Sequence, residues 1–415
     1  MDSYQKLRGT NIIANFFNLS SIQLSNTLLL ILLIPVITRK IGIEKFGIIM
    51  FASRFSQLAG VVINYGTNQS GVRDVAANMD YQKELSTVFY NTIWIRVIMS
   101  CIFCIFLVGL QIFRINYYNY LLFSIPLVLA EIVNPLFFFI GIEKLKIFNV
   151  SNLISNVITV GLIIFCIKGS EDSLWVNFIL GGISFITYLG LLIYCKQAFK
   201  LSFTTPVKND LLKIGKDNFY LTINNISVQL QQSIMIFALT KWGNASILGA
   251  YSLCDRIIGQ CRNLLITISN ALYPNTVMLY KKSELMWNIY RKKTKYFITG
   301  IFFTGSILLF ILADYIVYFL TKEHNLIAVV FLRTMAIVPA ISALNVLNVI
   351  DLLLKNKTIY IFRIAIILLI ISLLTAFSLI NFGQFMFIGT FTLIIETSGW
   401  LMYEYMVKTT TAQNV

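Results

Sequence analysis

Charge is what this 415-residue chain has least of. Only 12% of its residues are Asp, Glu, Lys or Arg, against roughly 25% in an ordinary soluble domain. That scarcity excludes a soluble enzyme, a disordered chain and a nucleic-acid-binding module. Cations exceed anions, 33 to 18, but they are spread over short segments between apolar runs and form no single patch. No nucleic-acid partner is expected. Histidine is nearly absent: His324 is the one copy, beside Glu323 in a short polar stretch. The six cysteines all fall in or beside apolar runs. Cys101 and Cys104 make a C-x-x-C, but a zinc or redox site would need a second pair or a βαβ context. No metal, no cofactor and no catalytic residue is therefore expected. Long polar segments are also missing. The longest, about 197–216 and 274–294, are too short for a separate catalytic domain. No cleavable signal peptide is expected, because the opening MDSYQKLRGTN is polar and the first apolar run is too long for an h-region.

Apolar residues make up 57% of the chain, with a mean hydropathy of +0.78. They gather in twelve runs, near 11–38, 46–67, 86–112, 119–141, 147–168, 174–196, 217–240, 247–273, 295–318, 325–350, 358–380 and 385–407. Each is long enough for a spanning helix, whereas a spanning strand needs only about ten alternating residues. With the N-terminus inside, 20 Lys and Arg fall on the cytoplasmic side and 7 on the other, so both termini are expected in the cytoplasm. The expected architecture is all-α and integral to the membrane: twelve transmembrane helices in two six-helix, pseudo-symmetric lobes around a central cavity. The lobes are 1–200 and 214–408, joined by a basic cytoplasmic linker 201–213 and followed by a cytoplasmic tail 409–415.

An internal repeat supports the two lobes. Asn15-Phe16-Phe17 opens the first half and Asn218-Phe219-Tyr220 the second. Gly42 and Gly47 in the first half match Gly243 and Gly249 in the second, and an arginine, Arg54 or Arg256, follows seven residues after the second glycine of each pair. A fainter echo pairs Asn134 and Lys144 with Asn345 and Lys355. Two halves of this kind are a common transporter plan with the substrate between them.

Polar residues recur at helical spacing in four spans. The first span has Asn11, Asn15, Asn18, Ser21 and Ser25; the second Arg54, Gln57, Asn64 and Asn68. The seventh has Asn218, Thr222, Asn225, Gln229 and Gln232; the eighth Arg256, Gln260, Asn263, Thr267 and Asn270. Each set lies on one stripe of its helix, and facing lipid would leave amides and guanidinium groups without partners. Such stripes serve either as interhelical hydrogen-bond glue or as the wall of a shared cavity, which four stripes on matching spans favour. Deep arginines (Arg54, Arg96, Arg256, Arg262, Arg333) outnumber deep acids (Glu131, Asp255, Asp314, Glu396). The planar guanidinium suits phosphate oxygens, and amides suit a many-hydroxyl substrate.

The stretches IPVITRKIGIEKFGIIMFASRFSQL, VRDVAANMDYQKELS and ALYPNTVMLYKK resemble the polysaccharide-transporter family of Wzx-type O-antigen flippases. Pro35, Gly42, Gly47, Arg54, Gly249, Arg256 and Pro274 carry the match. The whole plan is similar to the multidrug/oligosaccharidyl-lipid/polysaccharide exporter superfamily, which implies a MATE-like fold. The resemblance implies a flippase that moves an undecaprenyl-diphosphate-linked oligosaccharide, an O-antigen or similar repeat unit, from the cytoplasmic to the outer leaflet of a bacterial inner membrane. In that role Arg54, Arg96, Arg256 and Arg333 would meet the diphosphate, and Asn15, Asn18, Gln57, Asn64, Asn225, Gln229, Gln260 and Asn263 the sugars. Glu131 and Asp255 are the candidates for ion coupling. The partners implied are the lipid-linked substrate, the bilayer, and a polysaccharide polymerase with its chain-length regulator. Two other readings compete. A multidrug or cation antiporter would share the architecture with a more acidic cavity. A membrane polysaccharide polymerase would need a sizeable outer loop.

Overall fold

The computed structural model describes residues 25, 29, 32–112, 116–355, 357–382 and 384–412. Among them every regular element is helical and no strand occurs. Nine segments of these residues are long and apolar enough to cross a membrane. By its internal contacts the chain falls into two compact units, one centred on Ile48–Gln229, the other on Ile34–Gly47 and Leu230–Val415.

The first unit holds α1 (Ile43–Asn64) after its opening turn, α2 (Thr67–Ala77), α3 (Gln82–Ile112), α4 (Tyr118–Phe123), α5 (Ile125–Val133), α6 (Leu136–Gly141), α7 (Leu145–Cys166) and α8 (Trp175–Ala198). The first two-thirds of α9 (Lys208–Trp242) also belongs to it. One reason is the amide of Asn218, which donates to Ser70 Oγ at 2.9 Å in a buried contact. Only 201–207 lack regular structure in the expected linker, since α9 begins at Lys208. The core is aromatic: Phe89, Phe137, Phe138, Phe139 and Phe148 are all buried, with Phe89 edge-on to Phe138 at 5.1 Å.

The fourth apolar run is three short helices, not one. Pro126 sits in the first turn of α5, where its missing N–H costs nothing. Pro135 separates α5 from α6, and the residue before it, Asn134, is extended, as a pre-proline residue prefers. The break has a consequence for the site. The carbonyl of Glu131 would ordinarily accept from residue 135, and proline has no N–H to give.

The second unit comprises the rest of α9, then α10 (Ala245–Lys282), α11 (Glu284–Ile311), α12 (Ala313–Thr321), α13 (Leu326–Met335), α14 (Val338–Leu354), α15 (Thr358–Asn381) and α16 (Thr390–Ala412). Residues 34–47 join it, with Thr38 Oγ1 donating to the Leu320 carbonyl at the end of α12 at 2.7 Å. Leu265, Trp287, Ile298, Leu347 and Ile350 form its core. The tenth run breaks between α13 and α14, and Pro339 restarts it in the same helical position that Pro126 takes in α5. The internal repeat thus extends to broken helices at the matching place.

The expected loop at 274–294 is helical instead. α10 runs to Lys282 and α11 starts at Glu284, with Ser283 as its N-cap accepting from Met286 N. An apolar run ends where lysines begin, but helical hydrogen bonding does not. Lys281 and Lys282 suit the C-terminal end of α10 and Glu284 the first turn of α11.

Candidate functional site

In the first unit the polar stripes come together in two layers. The open layer runs along α1, α2 and α9. Arg54 Nη1 donates to Gln57 Oε1 at 3.4 Å, and Gln229 Nε2 donates to the same oxygen at 3.4 Å. One turn away on α9, Asn225 Nδ2 donates to Gln69 Oε1 at 3.5 Å. Gln57 and Gln69 are exposed, while Arg54, Asn225 and Gln229 are half-buried. Contacts this long are weak. Sequence analysis did not single out Gln69, whose spacing from Asn64 is hidden by the turn at Tyr65-Gly66 between α1 and α2.

Beneath it lies a closed layer. Asn64 Nδ2 donates to Glu131 Oε2 at 3.1 Å. Gly60 makes this approach feasible, because a Cβ there would fall 2.8 Å from Glu131 Cγ. Arg96 is 0% exposed. Its Nε donates to Thr67 Oγ1 at 2.9 Å and its Nη2 to Asn68 Oδ1 at 3.1 Å. Its Nη1 reaches the carbonyls of Asn134 at 2.7 Å and Glu131 at 3.3 Å, and its guanidinium lies over the Phe137 ring at 4.9 Å. The second of those carbonyls is the one that Pro135 leaves without a helical donor. Each nitrogen of the Arg96 guanidinium is thus committed to a protein acceptor. The side chain pins the break in the fourth run against α2 and α3.

In the second unit the eighth-span stripe lies on α10. Asp255 and Gln260 are buried; Arg256 and Asn263 are half-buried. Gln260 Nε2 donates to the Arg256 carbonyl at 3.4 Å, and Asn263 Nδ2 to Gln260 Oε1 at 3.5 Å. Arg262 is paired with Glu396 at 2.8 Å. Arg333 is exposed at the end of α13, its guanidinium 5.9 Å from the Phe310 ring. Asn15 and Asn18, with the rest of the first-span stripe except Ser25, lie outside the described residues. Ser25 Oγ accepts from Asn156 Nδ2 at 2.9 Å.

The largest charged cluster among the described residues is one that sequence reasoning missed. Asp351 is 0% exposed. It accepts from Trp287 Nε1 at 2.7 Å and faces Lys355 at 3.2 Å and Arg291 at 3.6 Å. One turn earlier on α14, Asn348 bridges Arg291 to Glu404, which is itself paired with Lys295 at 2.6 Å. Lys355 also lies 3.8 Å from Glu284. Three cations meet three anions, so the cluster is close to neutral and fixes α11, α14 and α16 to each other. The only local signal was Asp351 four residues before Lys355; the other partners come from distant helices. Among the described residues no group of His, Cys, Asp and Glu could hold a metal ion.

These features define an all-helical, multi-pass membrane protein with amide-rich helices in both units. The chain belongs to the polysaccharide biosynthesis protein family, whose model matches residues 12–279. The resemblance to Wzx-type flippases read from the sequence is thereby borne out. Two relatives carry the name "Putative O-antigen transporter". One, from Shigella dysenteriae, is 24% identical over 86% of this chain and 90% of its own length. The other, from Escherichia coli (strain K12), is 23% identical over 63% of this chain, and the match spans 63% of that relative's length. Among solved structures, the inward-facing form of a multidrug resistance MATE family transporter of the MOP superfamily aligns with a TM-score of 0.76 at 12% identity, over 95% of this chain and all of that one. The inward closed form of the lipid II flippase MurJ aligns with a TM-score of 0.73 at 15% identity, over 94% and 87%. Both share the fold, as the expected MATE-like architecture requires.

Proposed function

We propose that this chain is a transporter of the flippase type, which carries an undecaprenyl-diphosphate-linked oligosaccharide from the cytoplasmic to the outer leaflet of a bacterial inner membrane. The observation that supports it best is the open amide layer of the first unit. It sets one half-buried guanidinium, Arg54, at the end of a row of Gln and Asn side chains whose mutual contacts are long. A diphosphate needs the former and a row of sugar hydroxyls the latter. The names of the relatives point the same way. In this reading the chain crosses the membrane twelve times with both termini in the cytoplasm. The nine apolar segments are joined by the first run and by α9 and α10, which are long enough to cross but too rich in amides and charge to count as apolar. The lobes 1–200 and 214–408 alternate access, and Arg54 and Arg256 hold the diphosphate in turn. Glu131 and Asp255 are the carriers of any coupled ion. A polymerase and a chain-length regulator act on the product.

The first measurement is the fate of the lipid-linked oligosaccharide in a strain depleted of this protein. Accumulation on the inner leaflet with loss of surface glycan supports the proposal. Single repeat units arriving outside but left unjoined would assign the chain to polymerisation. Untouched glycan with raised dye sensitivity would assign it to multidrug export. Arg54→Ala and Arg256→Ala are each expected to cut surface glycan at least tenfold at normal protein abundance, equivalent to about 1.4 kcal/mol or more of lost substrate contact. Wild-type glycan in both variants would remove the diphosphate role from these two residues.

A further inference from the structure

A second candidate site lies in the first unit, with a lining that shares no residue with the amide layers. A groove of about 700 Å³ runs between α3 and the start of α9, a volume typical of small-molecule pockets. Ile98 and Met99 form one wall; Leu212 and Phe219 form the other, with Lys208 and Lys216 on the same wall. No Asn, Gln, Asp or Glu lines it. The α9 residues that face it are 208, 211, 212, 215, 216 and 219, steps of three and one that make a single helical face. The charges on this segment are sorted by face. Both groove-facing charges are lysines, two turns or roughly 12 Å apart along the axis. The carboxylates of Asp210 and Asp217 face a separate polar cleft with Arg73 and Lys213. The groove is therefore apolar along its length and cationic at its charged positions. Gly215 leaves it open, since a Cβ there would meet nothing within 4 Å.

We infer that this groove binds an anionic glycerophospholipid of the surrounding bilayer, one acyl chain lying between α3 and α9 and the phosphate meeting Lys208 and Lys216. An apolar trough with ammonium groups and no carboxylate is complementary to that chemistry. A sugar-bearing headgroup would find no amide or carboxylate to bond, which separates this groove from the amide layer around Arg54. The inference needs only that the chain sits in a membrane and does not depend on what it transports.

The test is native mass spectrometry of the full chain released from micelles, titrated with phosphatidylglycerol or with phosphatidylcholine of the same acyl chains. Wild type is expected to hold phosphatidylglycerol roughly tenfold better, as two lysines at about 1 kcal/mol each allow. The pair Lys208→Gln with Lys216→Gln should bring the two lipids level, and the Arg pair at the same positions should restore the preference. Gly215→Leu, which fills the groove without a backbone clash, should lower retention of both lipids several-fold. No preference in wild type overturns the inference. So does a Gln pair that keeps the preference, or unchanged retention in Gly215→Leu. Displacement of phosphatidylglycerol by an equimolar amount of undecaprenyl phosphate would also overturn it, and would make the groove a seat for the polyprenyl carrier.

Discussion

Cells carrying Gly249→Leu as their only copy are expected to contain almost no folded protein. The opening turn of α1 and the start of α10 touch backbone to backbone inside the second unit. A Cβ on Gly47 would fall 2.6 Å from Gly249 N and 2.7 Å from its Cα. A Cβ on Gly249 would in turn run into the Ile43 carbonyl, 2.7 Å from its carbon. No rotamer change relieves a clash with main chain, so the helices must move apart. Overpacking a core costs about 1–3 kcal/mol where side chains can adjust, and more where they cannot. A main-chain clash exceeds that range, and a cost of about 5 kcal/mol or more cancels the lower end of a total stability of about 5–15 kcal/mol, leaving little folded protein at growth temperature. Gly259→Ala is the control. It sits on the same helix, and its Cβ would meet nothing within 4 Å, so it should be neutral or slightly stabilising. Abundance by in-gel fluorescence and the thermal midpoint in detergent check both variants. A Gly249→Leu protein that purifies with an unchanged midpoint would sink the account.

The same glycines show what could be read from the sequence and what could not. Gly47 and Gly249 were visible as a matched pair because each stands seven residues before an arginine. That they pack against one another is a long-range fact which no local pattern carries. The stripes on the second, seventh and eighth spans were legible through their helical period, and the contacts of Gln57, Asn64, Asn225 and Gln229 follow from it. The period could not tell the open layer from the closed one. Depth depends on which neighbour covers a face, and the cover for Arg96 comes from a proline break in another helix. Apolar runs located most helices but misplaced their ends, because helical hydrogen bonding in α10 and α11 continues past the apolar residues into charged ones. Phenylalanine is abundant, with 33 copies, and Phe137, Phe138 and Phe139 are all buried. Composition alone cannot distinguish a ring against lipid from a ring against another ring.

Arg96→Met should lower stability about as much as loss of a buried ion pair, roughly 3–5 kcal/mol, and should reduce export only in proportion to the protein lost. The guanidinium serves four acceptors in different directions. Methionine fills much of its volume and satisfies none of them. The Glu131 and Asn134 carbonyls would then face each other without a donor, and each unsatisfied buried group costs about 1–3 kcal/mol. Arg96→Lys keeps the charge but offers a single point donor in place of a planar fork, so it should recover only part of the loss. The comparison with Arg54 decides the matter. Arg54 lies half-buried in the open layer, against 0% exposure for Arg96, so Arg54→Met should lower the thermal midpoint less than Arg96→Met does, while export falls. For Arg96→Met the order should reverse, with a lower midpoint and normal export per folded molecule. If Arg96→Met instead melts like wild type and exports nothing, its guanidinium meets the substrate after all, and the closed layer must open during the transport cycle.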